Sequence, residues 1–497
     1  MENKMKKIIA LLLLAVMCFT MVACNNGTTP GGDQGGSGTG GGGDDKAPEK
    51  VTYAIPEGGY DGSEVTITFS HTMNAGYQAV LDQYIAKFNE IYPNITVEHS
   101  QIGGYDEVRD QIKTELTAGN QPNIAYCYPD HVALYNVTKK VVPLDSFIES
   151  QIPDTLGGGI LGLTEEQIAD FVPGYYAEGA VFDEAGTMYT LPMSKSTEVL
   201  YYNKTFFDKY DLKVPTTWDE MEETCAAIHA IINDPTSEDY NPDAIPLGYD
   251  SEANWFITLC EQYNSPYTSS DKTDHYVFNN KTNREFMKEI REWYDKGYLT
   301  TQELYGSYTS GLFTEQNLFM CIGSSGGSSY QRPEATDDGY LFDVDIAPIP
   351  QKDPNDPAAI SQGPSLCIFD QANKQEVVAS WLFVKYLATT PEFQAAFSKV
   401  SGYMPVIRSA NEIESYKNWL AKADGGDNIQ ALAIKVGLSQ ESAYFVSPAF
   451  NGSSEARDQV GKLLQFCLVT DPATYGGMDE MILEGFKAAV ATCIAKS

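Results

Sequence analysis

Basic side chains are scarce: 33 Lys and Arg stand against 68 Asp and Glu, leaving a formal charge of −35 on 497 residues. That balance excludes a nucleic-acid binder, whose affinity comes mainly from Lys and Arg neutralising phosphates. Motifs of local chemistry are missing as well. There is no Walker A loop, no H-E-x-x-H helix and no G-x-G-x-x-G after the first strand, so no cofactor and no metal is expected. The cysteines form no C-x-x-C, and those beyond Cys18 and Cys24 (Cys127, Cys225, Cys260, Cys321, Cys367, Cys467 and Cys493) are odd in number and widely spaced. Such a set is neither a disulfide framework nor a zinc site, and reads as small buried hydrophobes. In an exported chain, free thiols on that scale point to a bacterium living where oxygen is scarce. Gly323-Ser324-Ser325-Gly326-Gly327 formally satisfies G-x-S-x-G, but His71, His99, His131, His229 and His275 all precede Ser325. The triad order Ser, acid, His of that elbow therefore lacks its general base, and no catalytic residue is assigned. Carboxylate pairs abound among so many acids, which keeps a secreted glycan-cleaving enzyme as the alternative from the enzyme class.

The N-terminus shows where the chain goes. Lys4, Lys6 and Lys7 precede an apolar run from Ile8 to Ala23, the order of a secretory signal. The run falls short of the roughly 20 residues of a membrane span. It ends in Met21-Val22-Ala23-Cys24, which resembles the lipobox of bacterial lipoproteins and implies lipidation at Cys24. From Asn25 to Lys50 the chain is mainly Gly, Thr, Ser, Asp and Pro, the composition of a flexible coil. Residues 1–23 thus read as a signal peptide and 24–60 as a tether, holding the body of the chain at the outer face of a cell membrane.

The remainder is α/β. Val65-Thr66-Ile67-Thr68-Phe69 alternates as a strand, Val80, Leu81, Tyr84, Ile85, Phe88 and Ile91 recur at helical spacing, and Ile95-Thr96-Val97-Glu98 is a second strand beyond Pro93. Together they make a βαβ unit, the building block of a parallel sheet. Thr217-Trp218-Asp219-Glu220 is a capping box, Thr390-Pro391-Glu392 a second helix start, and Val344–Ile346 and Leu366–Phe369 are further short strands. Trp218 and Trp293 fall on apolar helix faces and are expected in the core.

Pro192-Met193-Ser194, four residues, then Val199-Leu200-Tyr201-Tyr202-Asn203 with Phe207 and Lys209 fits the signature of the bacterial extracellular solute-binding proteins of family 1. Phe69-Ser70-His71-Thr72-Met73, Gly104-Tyr105-Asp106, Gly119-Asn120-Gln121-Pro122, Val214-Pro215-Thr216-Thr217-Trp218 and Ser401-Gly402-Tyr403-Met404-Pro405 stand in family order. The chain resembles that family over roughly residues 63–490, and within it the glycerol-3-phosphate receptors most.

The resemblance implies two lobes in a Venus-flytrap arrangement, with crossing segments near Lys195–Val199, Ile360–Gly363 and Met404–Arg408. Lobe 1 would comprise 61–194 and 364–404, and lobe 2 would comprise 195–363 and 405–497. It implies a monomeric receptor that binds a carbohydrate by hinge closure and delivers it to ABC-importer permease subunits. Site residues carried over by motif are Tyr105, Asp130, Ser196, Ser324, Gly363 and Tyr403. Trp255, after a Gly-Tyr-Asp-Ser loop, is expected as a stacking ring; its other reading is an anchor for the helix after it. The arginine that contacts phosphate in the glycerol-3-phosphate receptors aligns with Ala449, eight residues before Arg457. Without that cation a phosphate ester loses a bidentate contact, so a neutral sugar is expected ahead of it.

Overall fold

The computed structural model describes residues 48–269, 274–337 and 339–496. The signal sequence, Cys24 and the first part of the tether lie outside the described residues.

Two mixed sheets organise the chain, each with its own core. The first is five-stranded, in the order Ile95–Gln101, Val65–His71, Ile124–Cys127, Ser365–Ile368, Thr190–Pro192. Its first three strands run parallel and the last two antiparallel to their neighbours. The helix Ala75–Ile91 begins where the Asn74 side chain accepts from the Gly76 and Tyr77 amides, and it lays Leu81, Tyr84, Ile85 and Phe88 on the sheet. Trp381 and Phe383, on helix Lys374–Thr389, close the same core against Phe147 and Phe69.

The second sheet is seven-stranded: Tyr444–Phe445, Ala359–Gln362, Ser196–Asn203, Leu318–Ser324, Ile245–Tyr249, Leu299–Thr301, with Val344–Pro348 also paired to Ser196–Asn203. The expected capping box opens helix Trp218–Asn233, with the Glu220 amide donating to Thr217 Oγ1 at 3.2 Å and the Thr217 amide to the Glu220 carboxylate at 3.3 Å. Trp218 and Trp293 are buried in this core, as their periodicity requires. The helix at Pro391–Ser401 starts on its proline and stops at Gly402, whose φ is 77°. All seven cysteines of the two lobes are buried, and none is joined in a disulfide.

The chain passes between lobes at 193–195 and again at Gly363–Pro364. Gly363 has φ +105° there, and a Cβ would stand 2.6 Å from the Ser194 carbonyl, so only glycine fits. Beside it Lys195 Nζ meets Glu178 Oε1 at 2.5 Å and Ser365 Oγ at 3.2 Å, an ion pair with both partners buried. Val406, Ile407 and Ala410 still pack with the first core, and the chain joins the second lobe's packing at Ile429. The third passage thus lies C-terminal to Ala410, beyond the Met404–Arg408 segment expected from sequence, because those apolar side chains fill the first lobe.

Residues 50–60, read from sequence as the end of the tether, form with Asp61 a strap on the first lobe instead. Lys50 pairs with Asp145 at 2.6 Å, the Val51 amide donates to Thr187, Tyr53 stacks on Phe147 at 5.6 Å and donates to Asp370, and the Asp61 amide donates to Gln375. The apolar Tyr53, Ile55 and Tyr60 give this stretch a surface to pack, which the glycine-rich part before it lacks. No helix among the described residues is long and apolar enough to cross a membrane.

Candidate functional site

Between the sheets, two walls of different chemistry face each other. The first-lobe wall is aromatic. Tyr105 opens helix Tyr105–Ala118, and its ring stacks on Tyr128 with centroids 4.2 Å apart and planes at 19°. Its hydroxyl stands 3.3 Å from that of Tyr403, which arrives from the turn after helix Pro391–Ser401. Burial pushes all three phenols up, so they remain O–H donors at any physiological pH. Tyr128 also caps helix Pro129–Asn136, whose first turn carries Asp130.

The second-lobe wall is polar. Helix Ser453–Val469 presents Ser454, Arg457 and Asp458, spaced to share one face. Two of them reach the opposite lobe: Ser454 Oγ donates to Asp130 Oδ2 at 2.7 Å, and Arg109 Nη1 meets Asp458 Oδ1 at 3.2 Å. Burial works against the Asp130 charge, yet His131, Arg457 and the Ser454 hydroxyl outweigh it and hold the carboxyl below its ordinary range. Arg457 donates through Nη2 to Asn254 Oδ1, and its charge is felt by Tyr128 and Asp130 across the cleft. Behind Asn254 lies Glu198, 2 % exposed, whose pKa burial pushes up to about 7. Asp250, at the end of strand Ile245–Tyr249, is likewise raised by burial and accepts from Thr309.

The structure brings Tyr105, Asp130 and Tyr403 together on one wall. Ser196 opens the strand Ser196–Asn203 opposite Gln362, next to Gly363, so these two lie at the passage between lobes. Ser324 is engaged locally: its Oγ accepts from the Gly326 amide at 3.1 Å and its carbonyl from Tyr201. Gly326 in turn presses on Tyr403, where a Cβ would stand 2.6 Å from the ring. Trp255 does not take the stacking position expected of it. It is 1 % exposed, its ring stacked on Tyr249 at 4.6 Å within the second core, because its helix packs that face inward. Ser325 of the G-x-S-x-G sequence is fully buried and accepts from the Thr197 amide, the position of a structural hydroxyl. His71 is also buried; burial lowers its pKa to about 3, and its ring contacts His99 at 2.9 Å. No cluster of three metal-ligating side chains occurs among the described residues.

Sequence reasoning missed Tyr128, Arg109, Ser454 and the pair Glu198 and Asn254. Two carried a signal. Tyr128 comes directly after a parallel strand, at the carboxyl edge where open α/β sheets take ligands. Glu198 is a lone charge within a strand whose eight residues are all buried.

Residues 83–424 match the family model of the bacterial extracellular solute-binding proteins. The sn-glycerol-3-phosphate-binding periplasmic protein of Salmonella typhimurium is 25 % identical over 381 residues, 73 % of this chain and 79 % of that protein. A solved structure of the Mycobacterium tuberculosis UgpB in complex with glycerophosphocholine superposes with TM-score 0.67 at 18 % identity, covering 87 % of this chain and 98 % of that one. An ABC substrate-binding protein of Listeria monocytogenes in complex with cycloalternan gives TM-score 0.67 at 16 % identity, covering 86 % and 98 %.

Proposed function

The chain belongs to the bacterial extracellular solute-binding proteins, and on that premise we propose that it is the receptor of an ABC importer, capturing a carbohydrate between its lobes and handing it to the permease subunits. The observation that carries this reading is the pairing of walls. Ring faces from Tyr105, Tyr128 and Tyr403 stand opposite hydrogen-bonding groups from Asn254, Arg457 and Ser454, and a sugar offers both an apolar ring face and a belt of hydroxyls. Closure about the segments at 193–195 and Gly363 would make the bound form a distinct surface for the permease to select. The receptor is a monomer held at the outer membrane face by lipid on Cys24, and it releases its ligand unchanged.

A second reading rests on Arg457. Ala449 stands where the glycerol-3-phosphate receptors place their arginine, but Arg457 lies in the cleft with one nitrogen on Asn254, which leaves the rest of the guanidinium for a phosphate ester.

A thermal-shift screen of neutral saccharides beside sn-glycerol-3-phosphate separates the two. A ligand at 100 times its dissociation constant stabilises the native state by about 2.7 kcal/mol. Neutral saccharides are expected to shift the melting temperature and glycerol phosphate is not. Tight glycerol phosphate binding that Arg457→Ala abolishes transfers the assignment to the second reading, and catalytic turnover of an oligosaccharide rejects both. Cys24→Ala is expected to release folded protein into the medium; retention in the membrane fraction counts against the anchor.

A further inference from the structure

We infer that Glu198 is the positioning residue of the second lobe's binding wall, setting through Asn254 how Arg457 and Gln362 are presented to a bound solute. The inference rests on the receptor reading and adds to it a residue that need not touch the ligand.

Glu198 Oε2 accepts from the Tyr249 hydroxyl at 2.5 Å and Oε1 from Asn254 Nδ2 at 2.9 Å. A carboxylate only accepts, so Asn254 must turn its NH2 toward Glu198. That choice fixes the other end of the amide: Oδ1 accepts from Arg457 Nη2 and from Gln362 Nε2 at 2.9 Å, while Nδ2 also donates to Gln362 Oε1 at 2.7 Å. Asn254 is thereby used to capacity, and the reverse orientation would set an N–H against the Arg457 cation and the amide oxygen against the Glu198 carboxylate. Gln362 immediately precedes Gly363 and Glu198 lies two residues after Ser196, so the network also joins both strands that lead into the lobe passage.

The groups facing Glu198 are Tyr249 and Asp250 at the end of one strand, Ser324 beside it in register, Asn254 from helix Glu252–Gln262, and Arg457 from helix Ser453–Val469. Gln440 Nε2 donates to its backbone carbonyl at 3.0 Å. Burial raises the carboxyl, Arg457 opposes that and Asp250 reinforces it. Once protonated, Glu198 has an O–H to give and holds the Asn254 NH2 less firmly, leaving Arg457 to orient the amide.

The test tracks the Asn254 side-chain amide by NMR in solute-free protein, wild type and Glu198→Gln, with melting temperatures to confirm folding. In the wild type the amide signal is expected to titrate with a midpoint near 7, and in Glu198→Gln to be flat. An Asn254 amide signal that neither titrates nor moves on Glu198→Gln overturns the inference. A binding arm uses maltotriose and sn-glycerol-3-phosphate as calorimetric probes. Glu198→Gln is expected to weaken the bound probe about tenfold in the wild-type background and less than about twofold in Asn254→Ala. Equal losses in both backgrounds overturn the inference. Failure of both probes to bind would count against the receptor reading for these solutes, and the amide titration would still decide the role of Glu198.

Discussion

The two walls of the cleft are built of opposite materials. The first lobe offers phenols stacked on each other, rigid and permanently protonated, whereas the second offers a chain of carboxyl, amide and guanidinium groups that hold one another in place. Their acids differ in the same sense. Asp130 in the first lobe is held below its ordinary range, while Glu198, Asp250 and Glu252 in the second are raised, burial being the main cause. An aromatic wall tolerates many solutes that show it an apolar face; a polar network discriminates, because every group left unpaired by the wrong solute costs free energy.

The largest effect should come at the junction of the two. Lys195→Met leaves Glu178 buried without its partner and is expected to cost about 3–5 kcal/mol in urea unfolding, with Lys195→Met/Glu178→Leu recovering most of it. A double variant as unstable as the single one would mean that the pair fixes backbone geometry at the passage rather than balancing charge.

Next is a pH response of opposite sign in the two lobes. Glu198 keeps its proton to about pH 7 when folded against 4.5 in its ordinary state. The unfolded chain therefore ionises first, and stability falls as pH rises from 4.5 through 7, by about 3 kcal/mol for this group. Asp130 has the opposite sign: its contribution is present above its unfolded pKa of 3.8 and is lost as pH falls below that value. Pulsed thiol labelling in urea reads the lobes separately, through Cys225 and Cys467 in the second and Cys127 and Cys367 in the first. Between pH 5 and pH 8 the second pair's midpoint should fall, and Glu198→Gln should reduce that fall, whereas the first pair's should rise up to about pH 6.5, because burial keeps His71 neutral in the folded lobe.

Smaller still is the contribution of one ring. Tyr105→Ala should weaken a bound saccharide by about 1 kcal/mol, with Tyr105→Phe retaining most of the affinity, since stacking rather than the hydroxyl is the main term. The smallest effect belongs to the bridge between walls. Asp458 is 26 % exposed, so Asp458→Asn should change stability by about 0.5 kcal/mol or less, yet widen the lobe separation seen by small-angle scattering.

Legibility in the sequence tracked locality. The βαβ start, the capping box at Thr217 and Glu220, and the core tryptophans are written in spacings of a few residues, and periodicity recovers them. Tyr105 and Tyr403 came from the family resemblance, each within a short glycine-containing motif, and they share one wall. Glu198, Asn254, Gln362 and Arg457 come from four elements spread over more than half of the chain, and nothing in one element's spacing reports the others. Trp255 misled for a related reason. A tryptophan after a loop is equally suited to stack on a solute or on Tyr249, and only the neighbouring strand decides.

The strap of residues 50–61 gives the molecule a load path. Any pull arriving along the chain from before residue 48 is taken up by Lys50 on Asp145 and by Tyr53 on Phe147 and Asp370, all within the first lobe. The passages at 193–195 and Gly363 lie off that line, and so does every group of the second wall. If the proposed anchor holds the chain ahead of residue 48, its load falls on the first lobe as a mount and leaves the second lobe as the unloaded arm.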